Sequence, residues 1–268
     1  MYFCFITEGK MAKKLIELKN VGKIFNEALE KKAKTAVSDL SFEVNEGAIT
    51  GFIGPNGAGK TTSIKMILGL VKPTKGEVSL MGMPANNPLA REEVAFVSEQ
   101  PYFYEHLTAY ETLKFICNLK RFYKKEIDRE IRRVLDIVGM SRHSNGRVKS
   151  FSKGMQQRLN MAQALIANPK LIIMDEPMSG MDPLGRRLFR ELFKDLAEQG
   201  TTIFFSTHIV EDIEALCDNI VVLSKGKLRL SGTVEEIVKN ADKTGEKAPT
   251  LEEILYANSE EGEGEEWI

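Results

Sequence analysis

The sequence predicts an α/β fold: a mostly parallel sheet with helices on both faces and a helical subdomain inserted at about residues 95–165. Three observations predict it. Short apolar runs (ITGFI, LIIM, TIFFST) stop abruptly at glycine or polar residues, the pattern of strands buried on both faces. Amphipathic helical patterns separate those runs. The order is strands, then a helical stretch, then βαβ units, which suggests a parallel sheet with helices on both faces.

Each element follows from local pattern. The opening MYFCFITEGK is apolar but lacks a basic start and a small-residue cleavage site, so it does not read as a signal peptide. Met11, heading MAKKLIELKN, reads as an alternative start, which would make residues 1–10 a tail without function. KLIELKNV, SFEVNEG and AITGFIG read as strands, with NEALEKKAKT as a polar loop between them. LTAYETLKFICNLKRFY opens a helix with Thr108 and Glu111 at capping-box spacing. KKEIDREIRRVLDIVG repeats Ile127, Ile131, Val134, Leu135 and Val138 at helical spacing and stops at Gly139.

KLIIMDE is a fully buried strand type. DPLGRRLFRELFKDLAEQG has Asp182 as N-cap and Pro183 at the first helical position. Its Leu184, Leu188, Leu192 and Leu196 form the expected apolar stripe, and Gly200 ends it. TTIFFSTH is another buried strand, followed by the helix IVEDIEALCD. NIVVLSKGKLRLSG reads as a hairpin centred on Lys225-Gly226. The main domain is expected over residues 11–235, and residues 236–268 as a short helix without chemistry (TLEEILYANSEE) and an acidic tail (SEEGEGEEWI).

Composition narrows the function classes. The 268 residues are 43% hydrophobic, enough for one large domain or two small ones. The net charge of −1 gives no bulk electrostatic case for nucleic-acid binding. Cys4, Cys117 and Cys217 are far apart and have no metal spacing; they read as reduced thiols. No apolar run reaches the roughly 18–20 residues needed to span a bilayer.

GPNGAGKT carries the strongest chemistry. Gly54, Pro55, Asn56, Gly57, Ala58, Gly59, Lys60 and Thr61 fit G-x-x-x-x-G-K-[ST], between the apolar strand ITGFI and the apolar SIKMILGL. Glycines let successive N–H groups turn toward phosphate oxygens, and the following helix N-terminus adds its dipole. Lys60 would reach the β- and γ-phosphates, and the Thr61 hydroxyl would ligate Mg²⁺. Asp175 and Glu176 end LIIMDE; alone, such a pair is more often a solvated turn. Ligands of parallel sheets bind outside the carboxyl ends of the strands, which brings both acids toward the phosphate loop. Asp175 would hold Mg²⁺ through water, and Glu176 would polarise an attacking water. His208 follows TIFFST at another strand end, where it could hydrogen-bond a γ-phosphate and sense its loss.

From about Leu15 to Gly232 the chain resembles the ATP-binding subunit of an ABC transporter. Gly54–Thr62 looks like its Walker A motif, Leu171–Asp175 like Walker B with Glu176 in the catalytic position, Ser179–Asp182 (SGMD) like the D-loop, and His208 like the switch histidine. FSKGM looks like the signature, usually LSGGQ, with Lys153 in place of the first glycine and Met155 in place of glutamine. Phe25 occupies the place of the aromatic that stacks on adenine, or else is a core strand residue. In FVSEQPYFYEHLT, Glu99 falls where the family has its Q-loop glutamine, with Gln100 as the alternative one residue on.

The resemblance implies a P-loop NTPase core, an N-terminal antiparallel β-subdomain and an inserted α-helical subdomain. It implies ATP and Mg²⁺, and a head-to-tail homodimer, or a heterodimer with a related ATPase. In that dimer Ser152 and the N–H groups around Gly154 face the γ-phosphate of the other subunit. FSKGMQQRL, SGMDPLGRR and FFSTHIVEDIEALCD look most like stand-alone ATPases of bacterial exporters. A separate transmembrane permease is then the partner, at the cytoplasmic face of the membrane, and no nucleic acid is expected. Pro101–Tyr104 either receives a permease helix or packs between subdomains. The rival reading is an ABC ATPase that acts on ribosomes or DNA; those types usually carry two ATPase domains or long coiled coils, whereas this chain has one Walker A and no such insertion.

Overall fold

Two strand chemistries produce two sheets. The computed structural model describes residues 13–26, 33–241 and 250–258. In chain order β1 (Lys14–Asn26), β2 (Ala33–Asn45) and β3 (Ile49–Ile53) lead into α1 (Lys60–Ile67). β4 (Lys75–Leu80), β5 (Met83–Pro84) and β6 (Val94–Val97) follow, then the helices α2 (Ala109–Leu119), α3 (Lys124–Ile137) and α4 (Lys153–Ala164). The last part alternates: β7 (Leu171–Met174), α5 (Pro183–Glu198), β8 (Thr202–Thr207), α6 (Val210–Leu216), β9 (Asn219–Ser224), β10 (Lys227–Thr233), α7 (Val234–Ala241) and α8 (Leu251–Asn258). The expected tail at residues 1–10, Met11, most of the loop NEALEKKAKT and the acidic stretch from 259 lie outside the described residues.

Among the described residues the first sheet is antiparallel, in the order β2-β1-β4-β5. Its strands alternate, as in β2, where Val37, Leu40, Phe42 and Val44 are buried, so one face meets the core. The second sheet runs β10-β9-β3-β8-β7-β6 and is parallel except for the β9–β10 hairpin. β3, β7 and β8 are buried along their whole length. The sheets meet through Phe42, Phe52 and Phe204, whose ring centroids lie 5.3–5.9 Å apart. On the opposite face of β8, Phe205 packs on Phe193 of α5.

Several details differ from the sequence reading. β6 pairs in parallel with β7 and so belongs to the main sheet, although it lies inside the segment expected to be helical; the helices begin with α2. β4 carries two buried residues, Val78 and Leu80, behind three exposed ones, too weak a pattern to be read. The leucine stripe of α5 is corrected. Leu184 is 65% and Leu188 40% exposed, while Gly185, Phe189, Phe193 and Leu196 face the core. A strict four-residue spacing advances about 40° per step around a helix, so such a line drifts from solvent to core. The Thr108–Glu111 capping box, the Asp182 N-cap and the Lys225-Gly226 turn form as read. Leu251, Ile254 and Leu255 of α8 join the main core beside Ile237 of α7.

Candidate active site

The phosphate loop is a strand end folded against a neighbouring hairpin. A side chain at Gly54 would lie 2.2 Å from the Leu223 carbonyl, so only glycine lets β3 turn this closely past β9. The hairpin turn has Lys225 at φ 46° and Gly226 at φ 75°. The Gly226 N–H donates to the Ala58 carbonyl at 2.9 Å, and its carbonyl accepts from Ser38 N–H at 2.7 Å. The turn thus ties the loop to the antiparallel sheet. Gly59 precedes α1 at φ 106° and supplies no side-chain cap. The first N–H groups of α1 are left to an anion.

Strand ends bring the acids and the histidine to this loop. Lys60 is buried, donating to the Gly54 carbonyl and more weakly to that of Pro55. Its Nζ lies 3.2 Å from Glu176 Oε1. That contact has ion-pair distance without hydrogen-bond alignment, so Glu176 Oε1 is a buried oxygen with no hydrogen-bonding partner. Glu176 Oε2 meets His208 Nδ1 at 2.9 Å. Glu176 itself has φ 47°, a backbone state that non-glycine residues seldom adopt. Asp175 is buried beside it, at the end of β7.

Ser206 is the residue that the sequence reading missed. Its hydroxyl donates to Asp175 Oδ1 at 2.6 Å and accepts from the Glu176 N–H at 2.9 Å, so one hydroxyl positions both acids. Nothing in TIFFST singles it out, because its role exists only across the β7–β8 pair.

The cleft, about 740 Å³, is lined by Pro55, Asn56, Gly57 and Gly59 to Thr62 of the loop, by Glu176, Ser179 and His208, and by Phe25 and Glu99, while the Ala58 side chain turns into the core. Phe25 is 40% exposed and borders the cleft with Lys34 and Ala36, not the core. Glu99 lines it; Gln100 is exposed and is not among the lining residues. The Ser98 carbonyl just before them accepts from Asn160 at 3.0 Å and Gln157 at 3.4 Å, both buried on α4.

The donors suit Mg²⁺, which takes one or two carboxylates, keeps several waters and is completed by phosphates. Asp175, Glu99 and the Thr61 hydroxyl are such hard oxygens. Among the described residues no group of three acidic, histidine or cysteine side chains is placed to hold a metal by itself, so these donors would need phosphate and water to complete a coordination shell. Neither Cys117 nor Cys217 lines this cleft, and burial pushes the Cys117 thiol up to about 11 and raises Cys217 well above its ordinary value.

The signature residues are not in this cleft. Ser152 caps α4, its Oγ accepting from Met155 N–H at 3.3 Å. Ser152, Lys153, Gly154 and Met155 border a separate cleft of about 550 Å³ with Gly180, Met181 and Asp182. The Lys153 side chain lies across Gly180, where an added Cβ would fall 2.6 Å from its Nζ. One chain therefore carries two clefts with no lining residue in common.

A family model described as ABC transporter matches residues 37–179, more than half of the chain. The chain belongs to the ABC transporter family. It carries that family's ATPase domain. An ABC transporter ATP-binding protein of Synechocystis sp. is 40% identical over 229 residues, covering 84% of this chain and 65% of the relative. A bacitracin transport ATP-binding protein of Bacillus licheniformis is 41% identical over 199 residues, covering 73% and 64%. The chain thus spans under two thirds of the length of either relative. A solved ATP-binding subunit of an ABC transporter superposes with a TM-score of 0.80 at 31% identity, over 91% of this chain and 99% of that one. A dimeric ATP-binding cassette in a post-hydrolysis state, bound to ADP and Pi, gives 0.75 at 26% identity, over 82% and 98%.

Proposed function

We propose that this chain binds ATP with Mg²⁺ in the Lys60 cleft, hydrolyses it at a head-to-tail dimer interface, and drives transport through a separate permease. The observation that carries the reading is the state of Glu176. His208 holds one carboxylate oxygen, and the other is buried beside Lys60 without an aligned donor. A buried acceptor with an ion-pair contact but no aligned hydrogen bond keeps unused capacity, and an attacking water would fill it.

The residues divide the work. The loop N–H groups and the α1 N-terminus take the phosphates, and Phe25 stacks on the base. Lys60 exchanges the Gly54 and Pro55 carbonyls for phosphate oxygens. Thr61, Asp175 and Glu99, with Gln100 as the alternative to Glu99, would hold Mg²⁺, which when bound neutralises charge on the phosphates. Glu176 then draws a proton from the attacking water, with His208 holding the carboxylate in line. Ser152 and the Gly154 N–H supply the remaining phosphate contacts from the second subunit, identical or related. The two-cleft layout supports this, because neither cleft has both sets of groups.

The Pro101–Tyr104 segment supports a permease contact. Phe103 is buried in the core, whereas Tyr102 is 92% exposed and Tyr104 is half-exposed, three and five residues from Glu99. A docked helix would press on the segment that carries Glu99. The ATPase domain in this reading covers about residues 11–235, at the cytoplasmic face of the membrane. Transport outward is the direction favoured by the exporter resemblance, and a relative named for bacitracin transport supports a transport role. No helix among the described residues is long and apolar enough to cross a membrane.

The test is Glu176→Gln in the full chain. ATP binding should persist, turnover should fall on the order of 10²-fold or more, and ATP should convert the chain to a dimer on size exclusion. Normal turnover in that variant would remove Glu176 from the chemistry. Co-purification of the chain with a membrane protein supports transport, and purification only with ribosomes or DNA would sink it.

A further inference from the structure

We infer that Asp212 is a positioning residue that holds His208 against Glu176 by tying α6 to α5. This rests on the reading of Glu176 and His208 given above. Asp212 lies in the first turn of α6, four residues after His208, and is wholly buried. Two arginines of α5 bind its carboxylate: Arg186 Nη2 reaches Oδ2 at 2.8 Å and Arg190 Nε reaches Oδ1 at 2.7 Å. A buried carboxylate between two guanidiniums is costly to build and costly to break, so it fixes geometry more than it adds net stability.

Topology gives the clamp its meaning. α5 begins seven residues after Glu176, and Arg186 N–H donates to the carbonyl of its N-cap, Asp182. α6 begins two residues after His208; it is a seven-residue helix whose N-cap, Ile209, makes no side-chain cap bond. So short a helix has little stability of its own and takes its position from what it packs on. A closed ring results. From Glu176 it follows the chain to Arg186, crosses to Asp212, follows the chain back to His208, and closes at the 2.9 Å contact with Glu176. One arm of the ring contains Gly180, Met181 and Asp182, which with Lys153 and Gly154 line the second cleft. A subunit seated on that cleft would bear on the ring, and so on the His208–Glu176 contact.

The ring predicts that loosening Asp212 affects turnover through His208. With Mg²⁺ and ATP, the full chain carrying Asp212→Asn should lose about tenfold in kcat while KM for ATP stays within about twofold. In a His208→Ala background the same substitution should add nothing further. Imidazole ¹⁵N NMR gives a readout independent of activity, because the chain has three histidines. The His208 signal should move in Asp212→Asn as it moves in Glu176→Gln, while those of His106 and His143 stay. If Asp212→Asn does not fold, Arg190→Gln keeps Arg186 on the carboxylate and is measured in the same way.

An unmoved His208 signal in the folded variant, equal movement of all three histidines, or losses that add fully to those of His208→Ala would each overturn the inference. Unchanged turnover in Glu176→Gln and His208→Ala would instead remove the catalytic reading, and the NMR comparison would still decide whether Asp212 positions His208.

Discussion

The two clefts of this chain differ in how much of their bonding they complete internally. The Lys60 cleft is cross-braced: Lys60 to Glu176, Glu176 to His208, and Ser206 to both acids. The Ser152 cleft has two helix caps, each local to its own helix: Ser152 with Met155 and Asp182 with Gly185. Its Lys153 is exposed and makes no ion pair among the described residues. Buried strand ends can preorganise charge because the sheet fixes them on several sides. A helix N-terminus on the surface has its donors aimed outward. The first cleft is built to hold a ligand unaided, and the second is built to be met by one.

Substitutions can break or sharpen that contrast. The largest effect is expected for Lys60→Ala, which removes the phosphate cation and leaves Glu176 buried beside no positive charge except His208 when protonated. ATP affinity should fall on the order of 10²-fold in an equilibrium binding measurement on the monomer. Retained affinity would mean that the loop N–H groups suffice.

Ser152→Asp comes next. Aspartate keeps the helix cap, so the thermal midpoint should hold within a few degrees. It also puts a negative charge where a phosphate is expected, so ATP-driven dimerisation in the Glu176→Gln background should be lost while monomer binding persists. Loss of monomer binding would join the clefts that the geometry separates. Ser206→Ala should lower turnover about tenfold and stability by about 1–2 kcal/mol, read by steady-state kinetics and urea unfolding. The smallest effect is expected for Phe25→Ala: roughly fivefold weaker ATP binding, about 1 kcal/mol of stacking, with turnover at saturation unchanged.

The sequence made the Lys60 cleft legible because its parts are contiguous or sit at strand ends. GPNGAGKT carries its own spacing, and LIIMDE and TIFFSTH announce buried strands that stop at charged groups. Ser206, Asp212 and the Arg186–Arg190 pair were not legible. Each acts only across elements that the chain brings together from 22 to 31 residues away, and no local pattern encodes that. The α5 stripe was misread for a related reason. Leu184 and Leu188 share a spacing with Leu196, but the helical period turns them away from the core that Phe189 and Phe193 fill. β4 escaped notice because half of it faces solvent.

The left-handed backbone at Glu176 has a consequence for selection. Glycine would adopt φ 47° without the cost a glutamate bears there, on the order of 1 kcal/mol. Under pressure for thermal stability alone, that position should drift toward glycine or asparagine. Glutamate would persist only where cells depend on turnover. A stability-sorted library and an activity-sorted library of this chain should therefore diverge first at residue 176.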